Sequence, residues 1–252
     1  ENNADEVIAQ AGEVLKNGGL VAFPTETVYG LGGNALDAEA SAKIYAAKGR
    51  PSDNPLIVHI ADWEAIGAIV SEIPEAAKRL ADAFWPGPLT MILNKSDLVP
   101  YATTGGLETV AVRMPVNPIA RALIRAGGGY VAAPSANTSG RPSPTEAAHV
   151  AQDLDGKIPL ILDGGPVGIG IESTIVDLSE EVPMILRPGY ITKEMLEAAL
   201  GKEVRIDPGI VAASADKTGV AATGLKPKAP GMRYKHYAPK GDLVLVDGRE
   251  EA

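Results

Sequence analysis

Apolar residues at positions 7, 8, 11, 14 and 15 recur at helical spacing, and Asn17-Gly18-Gly19 closes the helix they predict. An unbroken apolar run at 20–23 follows and is stopped by Pro24, which reads as a buried strand end. Polar positions then take over with Thr25, Glu26 and Thr27. Gly30, Gly32 and Gly33 predict a backbone that turns tightly or passes close to a ligand. Asp37 is placed to cap an alanine-rich helix at 38–47, which Gly49 ends and Pro51 keeps from resuming. Lys48 and Arg50 flank that glycine, so two cations meet at a helix C-terminus. A second apolar run, 56–60, carries His59 within it. Strand, polar turn, helix, basic turn and strand together predict a βαβ-like unit.

The alternation continues downstream. Asp62 is placed to cap a helix bearing Trp63, Ile66, Ile69 and Val70, and Pro74 to start another with Ala77, Leu80, Ala81 and Phe84 inward. WPGPLT at 85–90 predicts a rigid turn into a strand at 89–93, and 103–106 reads as a flexible polar loop. TVAVRM at 109–114 alternates as a strand with Arg113 late in it. An arginine there is usually an edge residue with its head in water. A ligand carboxylate gives it a better reason, because guanidinium binds carboxylate in a bidentate fork. A helix at 118–126 precedes a buried strand at 130–133, which runs into PSANTSGRPSPT at 134–145. Taken as a loop, that segment is merely hydrophilic. Taken as a site, it sets Ser135, Asn137, Thr138, Ser139, Arg141 and Ser143 at a strand end, where α/β sheets bind ligands.

A helix at 146–154 follows, with His149 on its surface, then a strand at 160–162 ending in Asp163-Gly164-Gly165. A glycine-rich turn at 168–174 carries Ser173 and Thr174. Strands at 175–178 and 184–186, Arg187-Pro188-Gly189 and a helix at 192–200 complete the pattern. From 207 to 231 Ala, Gly, Pro, Ser and Lys dominate and a linker is expected. It leads into PGMRYKHYAP at 230–239, with Tyr234 and His236, and a short strand pattern at 243–246.

Composition narrows the chemistry. Hydrophobic residues make up 45% of the 252, ample for a core, but aromatics only 4%, so Ala, Val, Ile and Leu must build it. The absence of cysteine excludes a disulfide framework and thiolate chemistry, and fits a reducing cytoplasm. A net charge of −9 is unlike a protein whose task is to hold a nucleic-acid backbone. An anion site must then be a local cationic cluster in an acidic surface, suited to a small ligand such as a nucleotide. No signal segment and no run of membrane-spanning length is seen, so a cytoplasmic protein without membrane contact is expected. The phosphate-binding GxxxxGK[ST], HExxH and GxSxG patterns are absent, as is any His/Asp/Glu set at metal-ligand spacing.

Several stretches together resemble the YrdC-like family, the threonylcarbamoyl-AMP synthases. The family's opening motif is PTETVYGLG, found at 24–32. Its Lys-x-Arg motif matches Lys48 and Arg50, and its PL-x-VHI strand matches 55–60. Ser-x-Asn matches Ser135 and Asn137, EST matches 172–174, and RPG matches 187–189. PGM-x-x-KHYAP at 230–239 is similar to the linker of the long, two-domain members.

The resemblance implies an α/β fold: a twisted, mixed open sheet with helices outside and a concave ligand cavity. It implies a catalytic domain over 1–206, a linker over 207–239 folding over the active site, and the start of a truncated C-terminal accessory domain over 240–252. The implied activity is synthesis of L-threonylcarbamoyl-AMP from L-threonine, bicarbonate or CO2, and ATP with Mg2+, releasing pyrophosphate. The product would pass to a tRNA threonylcarbamoyltransferase making N6-threonylcarbamoyladenosine. By the same resemblance Thr27, His59, Arg113 and Ser173 would hold threonine, with backbone near Ala133. Lys48, Arg50, Asn54, Thr109, Ser135, Asn137, Ser143 and Arg187 would surround the nucleotide, with Tyr234 and His236 closing over it. Lys48, Arg50, Ser135 and Asn137 are the expected catalytic group. Glu26 and Asp163 are candidate Mg2+ contacts with no assignment between them. Two other classes are weighed: a double-stranded RNA binding module, which the net charge disfavours, and a carbamoyltransferase of the hydrogenase-maturation type, whose cysteine zinc motifs are missing here.

Overall fold

A computed structural model of the protein describes residues 2–210 and 228–229. The first apolar-periodic segment forms helix α1 (Asn2–Lys16), and the run after it forms strand β1 (Val21–Phe23). In chain order there follow β2 (Gly30–Asn34), α2 (Ala38–Lys48), β3 (Ile57–His59), a 3-10 turn (Trp63–Ala65) running into α3 (Ile66–Ile69), α4 (Glu75–Phe84), β4 (Leu89–Asn94) and α5 (Tyr101–Thr104). After these come β5 (Thr109–Arg113), α6 (Pro118–Ala126), β6 (Val131–Ala132), α7 (Ala147–Leu154), β7 (Leu160–Ile161), β8 (Thr174–Asp177), β9 (Met184–Arg187), α8 (Lys193–Leu200) and β10 (Arg205–Ile206).

The opening unit departs from its sequence pattern. Gly30, Gly32 and Gly33 do not turn the chain; they form β2, antiparallel to β1 with Ala22 opposite Leu31. Glycine stands there because the strand is crowded. A Cβ on Gly32 would come within 2.8 Å of Val131 and 2.9 Å of Phe23, so this stretch of strand leaves no room for a side chain. The crossover therefore starts from β2 and runs through α2 to β3. Strand β6 lies between β2 and β3 and is antiparallel to both. Helix α2 itself forms as its ends dictate. Asp37 accepts the Glu39 N–H at 2.8 Å, and Gly49 ends the helix in the left-handed region at φ 59°.

Two other segments differ. Asp62 makes no cap bond, and its carboxylate instead accepts from Arg125 Nε at 2.8 Å, leaving a 3-10 turn where a longer helix is expected. The expected polar loop at 103–106 is entered through the helical turn α5, with Thr103 and Thr104 buried. Thr103 Oγ1 donates to the Ala35 carbonyl and meets Ser41 Oγ, each at 2.8 Å, which explains hydroxyls in a packed position.

Ten strands form one mixed sheet in the order β10-β9-β8-β4-β5-β3-β6-β2-β1-β7. On one face Val58, Met91, Leu93, Val112 and Val176 pack against Ile44 of α2, Leu80 of α4 and Leu196 of α8. On the other face α1 and α6 cover only one half, through Leu15 and Leu123 against Val21, Phe23 and Val131. The other half carries an apolar strip of Ile57, Ile92, Ala111, Ile175 and Leu186. Among the described residues no helix contributes to that strip; Ala229, at 0% exposure, seats on it. Lys228 beside it pairs with the buried Asp177 at 3.3 Å.

Candidate active site

Period-two alternation turns the end of the apolar strip polar. Ile57 and His59 share a face of β3, Ala111 and Arg113 a face of β5, Thr90 and Ile92 a face of β4. Register brings the polar members together: His59 stands opposite Arg113, and Arg113 opposite Thr90. Across β4, Leu89 pairs with Thr174, so Ser173 arrives beside Thr90 and their hydroxyls meet at 2.7 Å. Of these, Ile57, His59, Arg113 and Ser173 wall a cavity of about 280 Å³ with Thr25, Gly30, Arg50, Ala133, Ser135, Glu172 and Arg187. That volume is near the lower end of the roughly 300–1,000 Å³ usual for small-molecule sites. Three arginines, one histidine and one carboxylate make it cationic within a chain of charge −9.

At the β3–β5 end Arg113 is 4% exposed. Its NH1 donates to Thr27 Oγ1 at 2.9 Å and its NH2 to Glu26 Oε1 at 2.5 Å, while Glu26 Oε2 accepts the Val116 N–H at 3.2 Å. Thr27 Oγ1 also meets Thr25 Oγ1 at 2.9 Å. His59 Nδ1 lies 3.1 Å from the Ile57 carbonyl oxygen, and the ring stands edge-on to Phe23. Burial, followed by the neighbouring Arg113 charge, pushes the imidazole down to about 3, so it is neutral at any ordinary pH. Ala133 is fixed by its N–H to the Ile57 carbonyl at 2.9 Å.

The rest of the wall comes from loops and from the end of β9. Arg50 donates from Nε to Asn54 O at 3.2 Å and from NH2 to Pro55 O at 2.9 Å. Arg187 donates from Nε to Ser173 O at 3.1 Å and from NH2 to Ser173 Oγ at 3.2 Å. Ser135 Oγ donates to Asn137 Oδ1 at 2.6 Å, and Ser143 Oγ donates to Glu172 Oε1. Lys48 and Asn137 are not at the cavity wall. Lys48 Nζ is buried against the carbonyls of Ser135 and Asn137 and against Asn137 Oδ1. Burial and then Arg50 press its pKa well below the lysine range. The three oxygens around Nζ oppose that shift, since they match the three N–H bonds of the charged form. Lys48 O in turn accepts the Ser139 N–H at 2.9 Å, so this residue ties the 135–139 loop to α2.

The structure thus brings His59, Arg113, Ala133, Ser173, Arg50, Ser135 and Arg187 around one cavity, with Thr27 bonded to Arg113, Ser143 to Glu172 and Arg187 to Ser173. Asn54 is buried behind Arg50 with Oδ1 unpartnered. Thr109 begins β5, about 13 Å from Arg113 at the usual strand rise, and does not reach the cavity wall. Tyr234 and His236 lie outside the described residues. The sequence pattern does not single out Glu172 at the wall, nor Thr90, which bonds the lining residue Ser173. Glu26, a candidate Mg2+ contact, has both oxygens committed to Arg113 and Val116, which does not suit that role. Asp163 accepts the Gly165 N–H at 2.9 Å, and among the described residues no three His, Cys, Asp or Glu side chains gather as a metal cluster.

A mixed open sheet with a cation-lined cavity on the half that no described helix covers defines an α/β small-molecule site for ligands bearing carboxylate or phosphate. Residues 13–189 match the family model Sua5_yciO_yrdC, described as telomere recombination, and residues 191–252 match the threonylcarbamoyl-AMP synthase C-terminal domain. The chain belongs to this Sua5/YciO/YrdC family, in its two-domain form. It is 54% identical over 234 residues to the threonylcarbamoyl-AMP synthase of Pyrococcus abyssi, covering 93% of this chain and 66% of the relative. With that of Bacillus subtilis it shares 53% over 248 residues, covering 98% and 68%. The crystal structure of P. abyssi Sua5 complexed with L-threonine matches with a TM-score of 0.86 at 54% identity, over 93% of this chain and 66% of that one. The chain spans about two thirds of the length of these relatives.

Proposed function

We propose that the protein makes L-threonylcarbamoyl-AMP from L-threonine, bicarbonate or CO2, and ATP, releasing pyrophosphate. The observation that carries this reading is Arg113, a buried guanidinium at the wall of a cationic cavity, with the hydroxyl-bearing Thr27 bonded to it and neutral His59 paired with it across the sheet. The relatives' names and the L-threonine complex of one of them support it. We divide the chain into a catalytic unit over 1–206, a linker over 207–239 and a further domain beginning at 240.

In this reading Arg113 receives the threonine carboxylate, and Thr27, His59, Ser173 and the Ala133 backbone complete that end. The amine and CO2 give a carbamate with little assistance. A carbamate oxygen then attacks the α-phosphorus in line as pyrophosphate leaves, a step governed by positioning and charge neutralisation. Arg50 and Arg187 neutralise phosphate charge, Ser135 and Ser143 orient oxygens, and Lys48 with Asn137 holds the loop that presents Ser135. Asn54 and Thr109 complete the nucleotide contacts, with Tyr234 and His236 from the linker. A single carboxylate at the wall, Glu172, fits a Mg2+ ion held chiefly by the nucleotide phosphates. Such an ion would supply further neutralisation of phosphate charge. The product serves a tRNA threonylcarbamoyltransferase in the cytoplasm.

The test is pyrophosphate release that requires both threonine and bicarbonate, with the adenylate identified by mass. Arg50→Ala removes charge-assisted hydrogen bonds of roughly 1.5–3 kcal/mol each. Release should fall about tenfold or more while the urea midpoint holds. Unchanged kinetics in folded Arg50→Ala protein would take Arg50 out of the site.

A further inference from the structure

The cavity has to sort two kinds of anion. A carboxylate belongs at one end and phosphates at the other, yet arginines stand at both. An unpaired buried guanidinium would bind a polyvalent phosphate at least as well as a carboxylate, because its attraction grows with the charge it meets. Arg113 is not left in that condition. Glu26 Oε1 sits 2.5 Å from its NH2 with the two side chains 12% and 4% exposed, so a carboxylate that does not itself line the cavity neutralises this arginine. Glu26 is itself fixed, since its other oxygen accepts the Val116 N–H from the turn after β5. Thr27 Oγ1 takes a second edge of the guanidinium. What remains for a ligand is directed N–H donors on a pair of net charge zero.

We propose that Glu26 is a specificity-determining residue: it cancels the charge of Arg113 so that this end of the cavity accepts a monoanionic carboxylate and rejects phosphate and pyrophosphate. This rests on the reading of Arg113 as the carboxylate fork. A geometry-based interaction survives neutralisation, because two parallel N–H bonds to a carboxylate need alignment more than net charge. Binding of pyrophosphate does not survive it, because that ligand depends on accumulated positive charge. The pair thereby keeps the triphosphate and the leaving pyrophosphate at the end lined by Arg50 and Arg187, and leaves the amino-acid end open for the next molecule.

The experiment is calorimetric binding of inorganic pyrophosphate alone to the full chain, with steady-state inhibition alongside. E26Q keeps the shape of the side chain and removes its charge. It should bind pyrophosphate about tenfold or more tightly than wild type, and pyrophosphate should become competitive with threonine. The double variant E26Q/R113A should lose that gain. Glu26→Asp, which withdraws the carboxylate by one methylene, should show a weaker form of the same competition and serves if E26Q does not fold. A merely structural Glu26 would raise the threonine KM and leave pyrophosphate affinity and the inhibition pattern as in wild type. That result, or a gain that persists in the double variant, overturns the proposal. The reading of Arg113 is checked separately by threonine calorimetry on Arg113→Ala: unaltered threonine affinity there defeats the fork assignment and leaves the pyrophosphate result standing on its own.

Discussion

A hydroxyl or an imidazole inside a buried strand is a small departure from pattern, and here His59 lines the cavity while Thr90 bonds Ser173 at its wall. Thr90 and His59 sit where the alternation of β4 and β3 continues but the side chains turn polar. His59 has a measurable signature beyond binding. Its folded pKa is depressed to about 3 from the ordinary 6.5, by burial first and by Arg113 second. The unfolded chain therefore binds the proton that the folded one refuses, and the linked stability is fully present above about 6.5 and lost as pH falls. Relative to His59→Asn, the wild-type protein should lose up to ~1.4 kcal/mol per pH unit between about pH 6.5 and 3. Urea unfolding of both proteins across that range checks it; a constant difference would mean that the ring is not held neutral. Both side chains lie in readable stretches of sequence, and His59 was legible as a site residue. Thr90 was not, because its partner Ser173 lies 83 residues away and only the β4–β8 register joins them.

At the scale of elements, what could be read depended on whether the signal was local. Helix α2 was legible to its caps, since Asp37 and Gly49 act within a turn of themselves. The strand that bears His59 was legible as an apolar run, and the one that bears Arg113 from alternation. Strand β2 was not: three glycines in five residues look like a turn until the side chains of Val131 and Phe23, from elsewhere in the chain, fill the space above them. The same dependence on distant neighbours governs Gly189. A Cβ there would stand 2.6 Å from both Glu172 O and Thr174 N, backbone atoms that cannot give way as a side chain can. Gly189→Ala should cost about 1–3 kcal/mol of stability. It should also displace Ser173 and raise the threonine KM more than the effect of destabilisation alone. Urea midpoints and threonine titration separate the two, and an unchanged midpoint would show that the backbone has room to retreat.

Over the whole molecule, the charge of −9 pointed to cations in a local cluster, as the cavity shows, and the mixed open sheet implied by the family resemblance is the one found. Strand order, and the division of one sheet face into a helix-covered half and a bare one, came only from the three-dimensional arrangement. Ala229 is the feature that crosses these scales, being a methyl from beyond residue 210 seated on the bare half. Ala229→Asp would put a carboxylate against Ile57, Ile92 and Ile175. The expected outcome, on the proposed linker reading, is a raised KM for ATP with the urea midpoint within about 0.5 kcal/mol of wild type, because Ala229 seats on the sheet half that no described helix covers. Loss of the midpoint instead would make Ala229 part of the fold's own stability. The seat also sets a leash. Whatever conformation follows it, Tyr234 is five residues on and His236 seven, so at about 3.3–3.6 Å per residue they stay within about 18 and 25 Å of Ala229. In the proposed reading, groups tethered that closely would meet the cavity at an effective concentration in the millimolar range or above. Contacts too weak to form between separate molecules are then sufficient for them.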